Sequence, residues 1–224
     1  MCGRFSLTTN IFEVQKQFDF DFNDEIKINP RFNIAPSQQV LTIGSDGGNR
    51  VGTMMKWGLV PFWSKDVKIG YKMINARAES VDEKPSFKTP FKSRRCLILA
   101  DGFYEWKKEG KNKQPFRFVL QKETPFAFAG LWDRWDKDGE PLYTCTIITT
   151  KPNKVAEEIH DRMPVILKED AYDIWLDPKM DDTNYLKSLL APYPAREMKA
   201  YPVSQIVNSP KNDVVECLSP INSM

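Results

Sequence analysis

The chain has 224 residues, of which 41% are hydrophobic and 28% are charged, and its formal net charge is +2. These values are ordinary for a globular protein of one sizeable domain, and they exclude the disordered and fibrous classes. The apolar runs are far shorter than a bilayer span and no export signal follows the first residues, so we expect a cytoplasmic protein with no membrane partner.

The first predicted element is a short helix. Residues 8–10 are Thr, Thr and Asn, which cap helices, and Ile11, Val14 and Phe18 then fall on one helical face. After this helix the pattern changes to pairs of strands, joined by segments rich in Gly, Asn and Asp that suit hairpin turns. Three hairpins are predicted: 39–43 with 50–57, 102–107 with 115–120, and 126–135 with 143–150 through Asp138-Gly139.

Three helices are predicted late in the chain, at 153–159, 169–176 and 183–190, the first of which must end before Pro164. Hairpins followed by late helices, without alternating βαβ units, predict an α+β fold. We expect a single domain over 1–216, built mainly from antiparallel hairpins that form a curved or barrel-like sheet with peripheral helices. Residues 217–224 are expected to form a C-terminal tail.

Cys2 is the most unusual candidate for chemistry. Removal of Met1 would leave a thiol and a free α-amine on adjacent carbons. Their ordinary pKa values, about 8.5 and about 8, predict useful fractions of thiolate and neutral amine near neutrality. The amine can form an imine with an aldehyde, and the thiol can close onto the imine carbon to give a thiazolidine ring. The alternative is a cysteine that follows the start by chance.

Three further polar residues are candidates, each with a plainer alternative. Asn75 shares one face of a predicted strand with Arg77, which is also the pattern of an ordinary polar face. Glu105 shares a face with Phe103, where burial would raise its pKa toward the range for acid–base catalysis, unless it pairs with a cross-strand lysine or arginine. His160, the single histidine, either transfers protons or caps the preceding helix.

Two segments are candidates for binding nucleic acid. The segment 57–63 contains Trp57, Phe62 and Trp63, broken by Gly and Pro, and such rings either stack on unpaired bases or form a satellite apolar cluster. The segment 84–95 carries five lysines and arginines and no acid, which is either a nucleic-acid patch or a solvated basic face. Because no C-x-x-C pair and no Gly-rich phosphate loop occurs, we expect neither a metal nor another cofactor.

Several short motifs follow one another in order between about residues 2 and 216. They are Cys2-Gly3-Arg4-Phe5, Phe32-Asn33-Ile34-Ala35-Pro36, the segment 57–63, Ile74-Asn75-Ala76-Arg77, the segment 101–106, Ile159-His160-Asp161-Arg162 and Pro202-Val203-Ser204. Together they resemble the SOS response-associated peptidase family, whose members shield abasic sites in single-stranded DNA. One departure is Tyr201, where many relatives carry histidine, which leaves His160 as the only imidazole.

The resemblance implies a covalent DNA–protein crosslink between Cys2 and the aldehyde of an abasic deoxyribose. It implies that Asn75 holds the α-amine and the sugar, and that Glu105 assists proton transfer at that amine. It implies that His160 is the acid or base at the sugar oxygen and in imine closure. The residues implied to lie near DNA are Arg4, Arg77, Arg162, Trp57 and Trp63.

Three functions stay open from the sequence. The first is a monomeric shield of abasic sites in single-stranded DNA, with the peptidase and lyase activities that the family implies; because only Met1 precedes Cys2, self-cleavage is optional. The second is an N-terminal-nucleophile thiol peptidase or amidohydrolase acting in trans, with Cys2, His160 and Asn75 as nucleophile, base and orienting amide. The third is a non-covalent single-strand binder in which Cys2 is incidental.

Overall fold

Two β-sheets, of five and nine strands, carry most of the chain in the computed structural model, which describes residues 2–22, 28–136 and 139–221. The strands are β1 (Phe5–Leu7), β2 (Asp21–Phe22), β3 (Arg31–Ile34), β4 (Gln39–Asp46), β5 (Asn49–Trp57), β6 (Asn75–Arg77), β7 (Arg95–Ala100), β8 (Gly102–Glu109), β9 (Asn112–Leu120), β10 (Phe126–Trp135), β11 (Leu142–Thr150), β12 (Met163–Pro164), β13 (Ile166–Leu167) and β14 (Met198–Pro202).

The helices are short and lie around the sheets. The α-helices are α1 (Ile11–Phe18), α2 (Pro85–Ser93), α3 (Tyr172–Leu176) and α4 (Thr183–Ser188). Short 3-10 helices lie at Val67–Lys72, Ala78–Ser80, Glu169–Ala171, Ala195–Glu197, Gln205–Asn208 and Val215–Leu218. Within the described residues, no helix combines the length and the apolar character that a membrane crossing needs.

The smaller, barrel-like sheet has the order β14-β9-β8-β1-β3, with every pair antiparallel. The larger sheet has the order β12-β11-β10-β7-β4-β5-β2, with β13 beside β10 and β6 beside β11. The predicted single-domain α+β fold built on antiparallel hairpins is therefore confirmed. Three short parallel pairings, of β11 with β5 and β6 and of β2 with β5, were not predicted.

All three predicted hairpins are present, as β4–β5, β8–β9 and β10–β11. In the first, Gly47 and Gly48 both adopt positive φ, and in the second Gly110 does, which is why glycine suits these turns. The third turn contains Gly139, also at positive φ, whereas Asp138 lies outside the described residues. The turn residues thus predict these three strand pairs.

The predicted first helix is confirmed, because the Asn10 side chain accepts a hydrogen bond from the Phe12 amide and both Val14 and Phe18 are buried. The helices predicted at 169–176 and 183–190 correspond to a 3-10 turn plus α3, and to α4. The helix predicted at 153–159 is wrong, since residues 154–159 form successive turns. The Asn153 side chain accepts from the Ala156 amide as an N-cap does, but the backbone bonds that follow, such as those from the Ile159 and His160 amides to the Ala156 carbonyl, are mixed three- and four-residue turns.

The segment assigned to a C-terminal tail is partly built into the fold. Cys217 is buried in a small apolar cluster with Tyr104, Val203 and Val207. Pro220 then forms a bridge with Val203, beyond the end of β14. The boundary at residue 216 stays a prediction, but residues 217–221 pack against the smaller sheet.

The main apolar core lies between the two sheets. Phe5 on β1 contacts the rings of Trp57 and Phe128, with ring centroids 5.1 and 5.7 Å apart. The fully buried strand β7 runs through the middle of the larger sheet and has no counterpart among the predicted elements. The core therefore fixes β1, and with it the position of Cys2, against both sheets.

Candidate active site

The pairing of β1 with β8 brings Cys2 to Glu105. Phe5 lies opposite Phe103, and the Tyr104 amide donates to the Arg4 carbonyl at 2.9 Å, so the chain before Phe5 runs along β8 toward Glu105. Cys2 is completely buried, and the Glu105 charge is close enough to raise the pKa of its thiol. Residues from two separate motifs thus meet beside the inner strands β1 and β8 of the smaller sheet.

Glu105 is buried as the sequence predicts. Its exposed fraction is 3%, and burial raises the pKa of its carboxyl to about 7. The residue directly opposite Glu105 on β9 is Phe116, and not a lysine or arginine. Protonated and ionised forms therefore coexist near neutrality, as a proton-transfer group requires.

His160 faces the same carboxyl from the loop before β12. Its Nε2 atom lies 3.8 Å from Glu105 Oε2, and its Nδ1 atom accepts the Arg162 amide at 3.0 Å. Burial lowers the pKa of the ring, and this outweighs the exposed Asp161 carboxylate, which lies 2.9 Å from Nδ1. The ring is therefore neutral near pH 7.

The thiol of Cys2 differs from its predicted state. Burial raises its pKa far above the ordinary range, and the charge of Glu105 raises it further. The expected fraction of thiolate near neutrality is therefore wrong for this environment, because a buried thiol beside a carboxylate keeps its proton. Any reaction at Cys2 must begin at another atom or transfer this proton first.

Asn75 lies on β6, whose position is set by parallel pairing with β11, opposite Ile147. Its Nδ2 donates to the Ile74 carbonyl at 3.0 Å, while Oδ1 is buried and accepts no hydrogen bond from the described residues. A buried acceptor of this kind suits an N–H or O–H donor from a ligand. The same Ile74 carbonyl accepts a hydrogen bond from the Trp57 indole, and the Trp57 ring packs on Phe5. These contacts connect Asn75 to the strand that follows Cys2.

The three predicted DNA-contacting arginines have different surroundings. Arg77 is exposed at the end of β6. Arg162 donates to both carboxylate oxygens of Glu79 at 2.6 and 2.9 Å and to the Thr149 carbonyl at 2.6 Å. Arg4 donates to Asn33 and to the Val207 carbonyl. Arg77 thus presents its charge to solvent, whereas Arg4 and Arg162 also hold the protein together.

The predicted aromatic segment divides into a core part and an exposed part. Trp57 ends β5 with an exposed fraction of only 1%, so the prediction that it contacts DNA is wrong in this conformation. Phe62 and Trp63 are 51% and 45% exposed. We call residues 58–64 the aromatic loop; contact of Trp63 with bases stays a prediction, and Phe62 joins it on the same surface.

A buried carboxylate anchors the aromatic loop. Asp133 on β10 accepts the Phe62 amide at 2.9 Å and forms an ion pair with Arg94. The Arg94 guanidinium lies 5.9 Å from the Phe62 ring centroid and 6.0 Å from that of Trp132. In the basic segment 84–95, Arg94 thus supports the loop, while Arg95 is buried and donates to the carbonyls of Trp175 and Phe91.

We expect Asp133→Asn to lower the free energy of unfolding by about 2 kcal/mol, because the variant removes the buried carboxylate charge that pairs with Arg94. Denaturant unfolding measures this loss. The matched control is Asp136→Asn, which removes an exposed partner of Arg134 and should change stability by less than about 0.5 kcal/mol. Equal effects of the two substitutions would show that Asp133 does not anchor the loop.

A cleft of about 360 Å³ opens beside the Glu105–His160 pair. Its other lining residues, which the sequence does not reveal as site residues, are Trp106, Lys108, Lys113 and Asn208. Two larger hollows, of about 480 and 600 Å³, contain none of the predicted site residues. Among these three hollows, only the smaller cleft contains predicted site residues.

The remaining cysteines form neither disulfides nor a metal site. Cys96, Cys145 and Cys217 are buried free thiols, like Cys2. In the parts of the chain that the structure describes, no group of three or more His, Cys, Asp and Glu side chains could hold a metal ion.

Comparison with known proteins gives one consistent result. Residues 1–210 match the family described as SOS response associated peptidase. The abasic site processing protein YoqW of Bacillus subtilis (strain 168) is 54% identical over 221 residues, which are 97% of this chain and 99% of that protein. The abasic site processing protein HMCES of Gallus gallus is 40% identical over 202 residues, covering 79% of this chain and 60% of that protein. A crystal structure from Bacteroides thetaiotaomicron superposes with a TM-score of 0.89 at 27% identity, over 99% of this chain and all of that one.

Proposed function

This chain belongs to the SOS response-associated peptidase family, and we propose that it captures abasic sites in single-stranded DNA through a covalent bond to Cys2. The relatives named for abasic site processing support the substrate. The observation that carries the proposal is the burial of Cys2 beside Glu105, whose carboxyl lies 3.8 Å from His160. In this proposal the protein acts in the cytoplasm, as a monomer and without a metal or cofactor.

The proposed reaction starts at nitrogen. Once Met1 is removed, the neutral α-amine of Cys2 attacks the aldehyde carbon of the ring-opened sugar and passes a proton to Glu105. Glu105 returns this proton to the alkoxide, and the resulting carbinolamine loses its N–H hydrogen and its hydroxyl as one water to give an imine. The thiol then adds across the C=N bond, forming the C–S bond while its proton moves to nitrogen. The product is a thiazolidine, one water is lost overall, and no oxidant or reductant is needed.

The surroundings suit this order of steps. A thiol that keeps its proton does not compete with the amine for the first attack, because the thiolate is the nucleophilic form. Neutral His160 takes the proton of the anomeric hydroxyl as the sugar opens and, as the imidazolium, returns it to the ring oxygen. Asn75 Oδ1 accepts a hydrogen bond from the α-amine and holds it in place. Each group then has one defined task.

The exposed groups around the site suit an unpaired strand. Arg77 supplies positive charge at the end of β6, while Phe62 and Trp63 offer rings for base stacking. Phosphate attraction and stacking both ignore base sequence, and stacking needs bases that are not paired. Arg4 and Arg162 hold this surface in place through their bonds within the protein. Their remaining guanidinium N–H groups contact phosphate.

Incubation with a single-stranded abasic oligonucleotide tests the proposal. We expect a denaturant-resistant adduct at one oligonucleotide per protein, and none with an undamaged oligonucleotide of the same sequence. A peptidase acting in trans would instead turn over peptides repeatedly, for which the buried, protonated thiol is poorly suited. Absence of an adduct from protein with a verified N-terminal cysteine would refute the proposal.

The peptidase activity in the family name is proposed only for removal of the residue before Cys2. For this single cleavage Glu105 would take the thiol proton, the sulfur would attack the Met1 carbonyl and free the Cys2 amine, and water would then release Met1 from the thioester. A lyase activity, in which the strand breaks after imine formation, is proposed as a side reaction that ring closure by sulfur suppresses. Both follow from the capture chemistry and need no further site.

A further inference from the structure

We propose that Lys108 and Lys113 form a phosphate-binding pair that seats the DNA backbone next to the reacting sugar. This inference rests on the proposed function and extends it to two residues at the rim of the cleft. The ligand class is the phosphodiester of a single strand. The pair would hold the phosphate adjacent to the sugar that occupies Glu105 and His160.

The register of the β8–β9 hairpin places the two lysines together. Lys108 lies directly opposite Lys113, and both are exposed. Both line the cleft of about 360 Å³ that also contains Glu105 and His160. Lys108 is close enough to His160 for its charge to contribute to the lowered pKa of the ring. The pair therefore lies next to the proposed chemistry.

The arrangement is unfavourable without an anion. Like charges directly opposite each other in an antiparallel pair repel. Lys187 and Lys199 form ion pairs with Asp82 and Glu123, whereas neither lysine of the cleft has such a partner among the described residues. A bound anion would remove the repulsion, and a cleft with positive walls attracts one from solution.

The position of the pair selects the kind of anion. A sugar bound at Glu105 and His160 carries a phosphate on each side along the strand, so a neighbouring phosphate falls within the same small cleft. Trp106 donates to the Asn208 side chain at 2.7 Å, and both residues line the same cleft. They add an indole ring and an amide to its lining, which suits a nucleotide.

The test compares wild type with the Lys108→Gln/Lys113→Gln double variant. With a single-stranded abasic oligonucleotide at low salt, we expect the double variant to form the adduct about 10-fold more slowly. The dependence of oligonucleotide affinity on salt should become shallower by between about 1 and 2 in log–log slope. With free 2-deoxyribose, which lacks phosphate, both proteins should react with Cys2 at the same rate.

The matched control is Lys16→Gln/Lys179→Gln, which removes the same charge from two exposed lysines outside the cleft. This control should react with the oligonucleotide within about twofold of wild type, because distant surface charges are screened. An equal loss in both double variants would show that net charge, and not the cleft, attracts DNA.

The outcomes separate this inference from the proposed function. An unchanged rate and salt slope in the Lys108 and Lys113 variant would overturn the inference and leave capture through Cys2 intact. A loss of reactivity toward deoxyribose as well would also overturn it, because the lysines would then act on the chemistry. If even wild type forms no adduct, the proposed function fails, and equilibrium binding of an undamaged oligonucleotide still tests the pair: equal affinity of variant and wild type overturns it.

Discussion

Cys2→Ser is expected to abolish the stable adduct with an abasic oligonucleotide while leaving one that a reductant can trap. The variant keeps the α-amine, so the imine still forms. A serine hydroxyl closes onto an imine far less readily than sulfur, so the imine hydrolyses when the protein is denatured. Denaturing electrophoresis with and without cyanoborohydride measures both products. We expect an adduct from the variant only in the reduced samples.

Cys217→Ser is the matched control, because it replaces another buried thiol in a separate apolar cluster. It should give the stable adduct without reductant, like wild type. An equal stable yield from Cys2→Ser would show that no thiazolidine forms. A loss of both products in Cys2→Ser, with the fold intact by circular dichroism, would also speak against imine formation at the terminal amine.

Glu105→Gln is expected to slow capture by about 100-fold, because the amide cannot accept the proton that the α-amine releases. The wild-type rate should rise with pH through about 7, where Glu105 ionises and becomes a base. The variant should lack the rise near pH 7 and keep only the rise that follows deprotonation of the α-amine, whose ordinary pKa is about 8. Single-turnover rates between pH 5.5 and 8.5 measure the difference. A variant that keeps the wild-type rate and pH profile would remove Glu105 from the mechanism.

The same substitution should stabilise the fold above pH 7. Glu105 has a pKa of about 7 in the folded protein against an ordinary value of 4.5, so the folded state holds this proton more tightly than the unfolded state. Stability is therefore highest below pH 4.5 and falls as pH rises to about 7, by roughly 3 kcal/mol in total. Glutamine carries no charge and avoids this loss.

Denaturant unfolding at pH 5 and pH 8 measures this effect. Glu105→Gln should gain between about 1 and 3 kcal/mol relative to wild type as the pH rises from 5 to 8. The control Glu123→Gln removes an exposed carboxylate paired with Lys199 and should change stability by less than about 0.5 kcal/mol at both values. A Glu105→Gln protein that loses stability relative to wild type at pH 8 would show that the carboxylate stabilises the fold.

The elements that depend on residues close together in the sequence, such as the hairpins, could be predicted. The hairpins follow from turn residues such as Gly47 and Gly48, whose positive φ the structure confirms. Strand β7 is not predicted because its five consecutive apolar residues, 96–100, show no period, and partners such as Thr42, which lies opposite Ile98, are far away in sequence. The parallel pairings of β11 were missed for the same reason.

The site shows the same limit. Motifs single out Cys2, Glu105 and His160 one at a time, but only the β1–β8 pairing and the loop before β12 bring them together. Trp57 was assigned to DNA because aromatic residues with Gly and Pro indicate a loop, whereas packing on Phe5 turns this ring inward. The proposed role of Lys108 depends on its position near His160, and the composition of the chain cannot reveal that position.

The mass of the crosslinked protein tests the central claim most directly. After reaction with a single-stranded abasic oligonucleotide, the product should weigh as much as the chain without Met1 plus the oligonucleotide, less one water. Peptide mapping should place the added sugar on Cys2, bonded through both nitrogen and sulfur. Crosslinked material that still carries Met1, or an added sugar on a lysine, would contradict the account.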